Sequence, residues 1–142
     1  MIIKAIEKAF KRRDEKQCEK TYWAIDLHET VIRPNWSETT IPTTFYPMAK
    51  ESLQLISDRK DIVMIMYTCS HPHEIVQYSE YFASHGIHFD FVNENPEVPN
   101  SGFGYYDQKP YFNVLFEDKA GFDAEEDWFE VYKYLNSKVN EK

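Results

Sequence analysis

Three polar residues stand at the ends of three apolar segments. Asp26 follows Tyr22-Trp23-Ala24-Ile25, Thr68 follows Ile62-Val63-Met64-Ile65-Met66-Tyr67, and Asp118 follows, after Glu117, the segment that runs from Tyr111 to Phe116. A carboxylate, a hydroxyl and a second carboxylate are the groups that bind and act on a polar ligand. Singly, each also suits a turn or a cap. Other clusters carry less. Cys69-Ser70-His71-Pro72-His73 has metal-type side chains, but two histidines at i and i+2 do not share a helical face, and no second ligand pair stands at zinc spacing. His71 or His73 instead lines the mouth of a site that includes Thr68. Cys69 is not the nucleophile of a cysteine phosphatase loop, because the residue six positions on is Ile75 rather than Arg. The four glycines form neither G-x-G-x-x-G nor G-x-x-x-x-G-K-[ST], so a glycine-rich phosphate loop is excluded. Trp36, Phe45, Tyr105 and Tyr106 fall in loop-like stretches. There they either stack on a base or sugar or pack into the core.

The elements that position these groups follow from periodicity. Ile2, Ile6, Ala9, Phe10 and Arg13 keep helical spacing and predict a helix over about 2–17, packed on the domain by a narrow apolar stripe. Residues 22–25 and 62–67 are continuously apolar and read as buried parallel strands. Residues 31–46, with Pro34 and Pro42, read as a loop or small hairpin. A helix is expected over 48–59. Another is expected over about 72–85, with Ser70 as N-cap and Gly86 closing it. Residues 89–92 read as a short strand, 93–108 as loop and 111–116 as the fourth strand. Asp123 and Glu126 form a capping-box pattern that starts a last helix to about 136. Strands alternating with helices predict a three-layer α/β/α sandwich on a mostly parallel, Rossmann-like sheet. Ligands of such sheets sit beyond the carboxyl ends of the strands, where Asp26, Thr68 and Asp118 are expected.

The chain has 142 residues, 42% of them hydrophobic, which is enough for one packed core. It reads as a single domain over 1–142 without repeats or linkers. The formal charge of −8 argues against sequence-independent nucleic-acid binding, which rests on Lys and Arg neutralising phosphates. A single small anion in a local pocket remains compatible with it. No apolar run approaches the roughly 20 residues needed to span a bilayer. The charged N-terminus is unlike a secretory signal, and two cysteines make no disulfide framework. A cytoplasmic protein without membrane or nucleic-acid partners is therefore expected, and its loop aromatics leave room for a homodimer.

Over residues 21–137 the sequence resembles the haloacid dehalogenase (HAD) superfamily, in particular small members with little or no cap. Tyr22 to Thr30 is similar to the first motif, an apolar strand followed by D-x-D-x-[TV]. Ile65-Met66-Tyr67-Thr68 is similar to the second motif, Lys109-Pro110 to the third, and Val114 to Ala120 with Asp123 to the fourth. The resemblance implies Mg²⁺-dependent hydrolysis of a small phosphomonoester. Asp26 would be the nucleophile that forms an aspartyl-phosphate. Mg²⁺ would be held by Asp26, the backbone carbonyl of His28 and Asp118. Thr68 would donate to a phosphoryl oxygen, Lys109 would supply positive charge, and Glu117 and Asp123 would be accessory acids. The sequence departs from the pattern at His28, where phosphatases of the superfamily carry an Asp that protonates the leaving group and later activates water. Histidine can move a proton near neutral pH. The alternative is a catalytically silent module of the same fold that binds a phosphorylated ligand or a protein partner. A further rival is an unrelated α/β domain, in which Asp26 and Asp118 would lie more than about 8 Å apart, too far to share a Mg²⁺ ion.

Overall fold

A computed structural model describes residues 1–139. Four strands, β1 (Thr21–Ile25), β2 (Ile62–Met66), β3 (Phe91–Val92) and β4 (Val114–Phe116), form an all-parallel sheet in the order β3-β2-β1-β4. Four helices flank it: α1 (Ile2–Glu15), α2 (Ala49–Asp58), α3 (Pro72–Ala83) and α4 (Asp127–Asn136). The arrangement is the Rossmann-like α/β kind expected from the sequence and is consistent with a three-layer sandwich.

β1 and β2 are apolar on both faces because both faces are covered. One continuous cluster takes Trp23 and Ile25 from β1, Met64 and Met66 from β2 and Phe116 from β4, with apolar residues from all four helices. The alternate residues Ala24, Val63 and Ile65 are also buried. On their side of the sheet Tyr22 packs edge-on against Tyr111, and Tyr67 against Phe112. The irregular segment 93–113 thus lies over this face. It is anchored by the buried Asn95, whose amide donates to the Tyr111 carbonyl at 2.9 Å.

Several element ends differ from the sequence expectation. β4 starts at Val114 rather than 111, because the Asn113 side chain turns to accept from Tyr22 N–H at 2.8 Å. β3 starts at Phe91, because the Asp90 carboxylate takes the Met64 N–H at 2.8 Å that a longer ladder would use. α3 is capped from within: the Glu74 carboxylate accepts the His71 N–H at 2.8 Å, and Ser70 turns back to Thr68. Gly86 does close that helix, with φ at +74°. α4 starts at Asp127 rather than Asp123. The Asp123 carboxylate accepts from Glu125 N–H at 3.0 Å, and that bond holds a turn ahead of the helix. Residues 31–46 close as a small hairpin through an Ile32–Phe45 bridge.

Trp128 ties the last helix to the rest. Its ring is fully buried, stacks on Phe116 at 5.5 Å between ring centres and meets Phe122 edge-on at 4.8 Å. Its indole N–H donates to the carbonyl of the buried Thr30 at 2.7 Å. Trp128→Phe keeps an aromatic ring but orphans that carbonyl and opens a void. The expected loss is about 2–3 kcal/mol, read in urea as a lower midpoint at unchanged slope. An unaltered midpoint would show that the indole bond contributes nothing.

Candidate active site

The strand order makes the location of the site physical. The chain runs outward from β1 through β2 to β3, then crosses back over β1 to place β4 on its other side. The carboxyl ends of β1 and β4 therefore bound the crevice where strand order reverses, the usual ligand position in open parallel sheets. Asp26 leaves β1 there, its N–H still donating to the Phe116 carbonyl at 2.9 Å, and Glu117 and Asp118 leave β4 beside it.

The loop after Asp26 is drawn tight. The N–H groups of Thr30, Val31 and Ile32 all converge on the Leu27 carbonyl at 2.8–3.2 Å, and Glu29 takes a left-handed φ of +63° to allow it. This turn returns the Thr30 hydroxyl to the strand end, where it donates to Asp26 Oδ2 at 3.1 Å. The Thr30 hydroxyl oxygen also accepts from the Asp118 N–H at 3.1 Å. One hydroxyl thus links the β1 loop to the β4 loop. Beyond it, residues 118–120 form a single 3₁₀ turn whose start is capped by Glu117 Oε1 accepting from Lys119 N–H at 3.1 Å.

The result is a cluster of three acids. One carboxylate oxygen from each of Asp26, Glu117 and Asp118 lies within 4.8 Å of the others. The two strand-end aspartates are therefore not separated by the about 8 Å or more that the unrelated-domain reading expects. Burial pushes the Asp26 carboxyl up to about 6, and the neighbouring Glu117 and Asp118 charges push the same way. The Thr30 hydroxyl and the Leu27 N–H oppose them by favouring the ionised form.

Around the cluster opens a cleft of about 830 Å³, whose walls include His28, Thr68 and Lys119. The position of Thr68 is set by Asn93, whose side chain accepts from Thr68 N–H and donates to Thr68 C=O, each at 2.8 Å. The Thr68 and Ser70 hydroxyls share a further bond of 2.8 Å. The His28 ring is held by Tyr78, with Nε2 2.6 Å from the phenol oxygen. Burial, with the nearby Glu74 charge, pushes the Tyr78 hydroxyl up to about 12, so it stays protonated and can donate to Nε2. Which partner donates in this bond sets which ring nitrogen of a neutral His28 carries the proton. His71 lines the same cleft, and its ring stacks at 5.8 Å on that of His73.

Two expected members stand apart. Lys109 is exposed, and the cleft wall there is made by its neighbours Gln108 and Pro110. The lysine on the wall is Lys119, which follows the β4 acids directly. Asp123 lines a separate hollow on the far side of Asp118, beside Tyr46 and Glu125, and its carboxylate holds the turn before α4. The sequence reading also assigned no role to Thr30, Asn93 or Tyr78. Thr30 sits four residues past Asp26, where the first motif carries Thr or Val, and that spacing was the available signal. Asn93 and Tyr78 reach the site only through tertiary packing and leave no local trace.

No protein-family model and no curated protein sequence matches the chain. Among solved structures, a conserved protein from Bacteroides thetaiotaomicron is similar, with a TM-score of 0.63 at 19% identity over 84% of this chain and 92% of that one. At that identity the likeness extends to the fold.

The raised carboxyl has a consequence for stability. In the folded state Asp26 holds its proton more tightly than in the unfolded chain, so its contribution is favourable at acid pH and is lost as pH rises from about 4 to above about 6. Asp26→Asn keeps the shape and removes the charge. In metal-free buffer at pH 8 it is expected to stabilise the protein by roughly 2 kcal/mol, after allowance for partial solvent screening. At pH 4 the gain should be close to nil. Thermal melts of both proteins at the two pH values measure this, and equal shifts at both would show that Asp26 is not strained by its neighbours.

Proposed function

We propose that the chain is a Mg²⁺-dependent phosphomonoester hydrolase of the HAD type, acting through an aspartyl-phosphate on Asp26. The observation that carries the reading is the packing of Asp26, Glu117 and Asp118 within 4.8 Å at the switch point of the sheet. Three hard oxygen donors crowded together, with the Glu117 and Asp118 charges raising the Asp26 carboxyl, suit a small divalent cation such as Mg²⁺, and Asp26, Asp118 and the His28 carbonyl would hold it. When bound, the cation neutralises charge on the carboxylates and the phosphate. The fit also answers how a protein of charge −8 accommodates an anionic substrate.

The chain's own groups supply the rest. The Asp26 carboxylate, kept in line by Thr30, attacks phosphorus, and the bond to the leaving oxygen breaks as that oxygen takes a proton. The Thr68 hydroxyl and Lys119 steady the phosphoryl oxygens, Lys119 in the place expected of Lys109. Water then attacks the aspartyl-phosphate and gives up a proton, which returns Asp26 and releases phosphate. With Nε2–H donating to the Tyr78 oxygen, His28 gives the leaving oxygen the Nδ1 proton of its imidazolium form and takes a proton from the attacking water at the same nitrogen, so it serves both transfers.

A second reading rests on the same bond. If the tie between His28 and Tyr78 takes the ring out of proton transfer, the site binds a phosphorylated ligand without turnover.

Phosphate release from a panel of phosphomonoesters, with and without Mg²⁺, decides between them. Metal-dependent turnover is expected, abolished in Asp26→Asn, with His28→Ala lowering kcat by about 10²–10⁴-fold at similar KM. Turnover that survives in Asp26→Asn would overturn the mechanism. Mg²⁺ binding without turnover, unchanged by His28→Ala, would establish the binding module.

A further inference from the structure

A second cleft, of about 850 Å³, lies at the other end of the sheet. Thr21, which opens β1, and Asn113, just before β4, form its floor, so roughly 17 Å of strand separates it from Asp26. It is as large as the acidic cleft and within the usual range of about 300–1,000 Å³ for small-molecule sites. It owes nothing to the reading of the Asp26 site.

Its charge is opposite to that of the chain as a whole. Four basic residues line it, Arg12, Arg13, Lys16 and Lys20, against two acids, Glu19 and Glu97. Arg13 is engaged by Asp61, and Lys20 by Glu97 at 3.3 Å. Arg12 and Lys16 make no ion pair among the described residues. They stand one helical turn apart on α1 and the residue just beyond it, so their heads can converge on one group. The next position along the helix shows the contrast. Lys11 has Glu15 at i+4, 3.8 Å away, whereas Arg12 has a second cation there. An unneutralised i, i+4 pair of cations costs stability that a bound anion removes.

The facing wall is aromatic and ordered. Tyr106 and Tyr111 meet edge-to-face at 5.7 Å, and Tyr111 packs likewise on Tyr22. Asn113 fixes this floor by donating to the Tyr111 phenol at 3.0 Å while accepting from Tyr22 N–H. Tyr106 lies so close over Gly104 that a Cβ at Gly104 would collide with its ring. Ser101 and Gly104 exchange both backbone hydrogen bonds, at 2.9 and 3.2 Å, and Asn100 ties the loop to Asp107 at 2.7 Å. The tight turn thus formed presents Phe103 at the lip, 99% exposed. The loop holds this phenyl ring in water beside the pocket.

We propose that this cleft binds a ligand of the nucleotide class, with its phosphates on Arg12 and Lys16 and its base against Phe103 and Tyr106. Unpaired cations and aromatic rings lining one pocket of this volume match a planar base joined to an anionic tail. Stacking on aromatic faces is tolerant of base identity, so the site selects a class of ligand.

Titration calorimetry with ADP, in EDTA and on the Asp26→Asn protein, tests the proposal with the acidic site silenced. Saturable one-to-one binding is expected. The R12E/K16E double variant should weaken it about tenfold or more, and Phe103→Ala, a change of an exposed side chain that leaves folding intact, should weaken it about fivefold or more. Adenosine and pyrophosphate should each bind more weakly than ADP. No saturable binding at millimolar ADP would overturn the proposal, as would an affinity unchanged in R12E/K16E. Pyrophosphate binding as tightly as ADP, indifferent to Phe103→Ala, would reduce the cleft to a plain anion site and overturn the nucleotide assignment.

Discussion

Three carboxylates that repel one another are held at the end of two adjacent strands, and much of the surrounding structure serves to keep them there. The Thr30 hydroxyl stands between Asp26 and the Asp118 backbone, accepting from one loop and donating to the other. Thr30 is in turn fixed by the convergence of three N–H groups on the Leu27 carbonyl and by the Trp128 indole on its own carbonyl. Trp128 belongs to the last helix, so an element more than 100 residues from Asp26 in sequence determines where its carboxylate points. The fold spends stability on this arrangement: a carboxyl pushed up to about 6 is one the folded state would rather keep protonated. A cation, if the proposed function holds, would relieve this strain and couple binding to folding.

Much of the fold was legible because its signals are local and strong. Continuous apolar runs at 22–25 and 62–67 read as strands covered on both faces, and helical spacing with Gly86 as a stop marks the helices between them. Element ends were misread where a side chain replaced a ladder or a cap. Asn113 and Asp90 each take a backbone N–H at a strand start, and Glu74 caps α3 in place of Ser70. These substitutions depend on which N–H group lies opposite in the folded state, and no one-dimensional pattern encodes that.

The site divides along the same line. Asp26, Glu117, Asp118 and Thr68 lie at strand ends, so spacing alone brought them near one another. Lys109 and Asp123 lie on irregular segments, where distance along the chain says little about direction. The chain bends over 107–109 and leaves Lys109 exposed, while Lys119, one residue beyond the paired acids, lies on the cleft wall. Asp123 kept the bland role open to it, as the stop of a turn. Asn93 and Tyr78 act through contacts spanning 25 and 50 residues, and only the folded chain shows them.

The charge pattern connects the two ends of the sheet. At −8 the protein repels anions at long range, although at physiological ionic strength that field decays over about 8 Å. What decides anion binding is therefore the charge within a few ångströms, and the structure distributes it unevenly. At the carboxyl ends the local charge is negative, so on the proposed function phosphate would be accepted there only with a cation present. At the amino ends Arg12 and Lys16 provide positive charge directly, beside aromatic rings fixed by Asn113 and Gly104. On the two proposals the sheet would present one anion site conditional on metal and one independent of it, with β1 as the strand that runs between them.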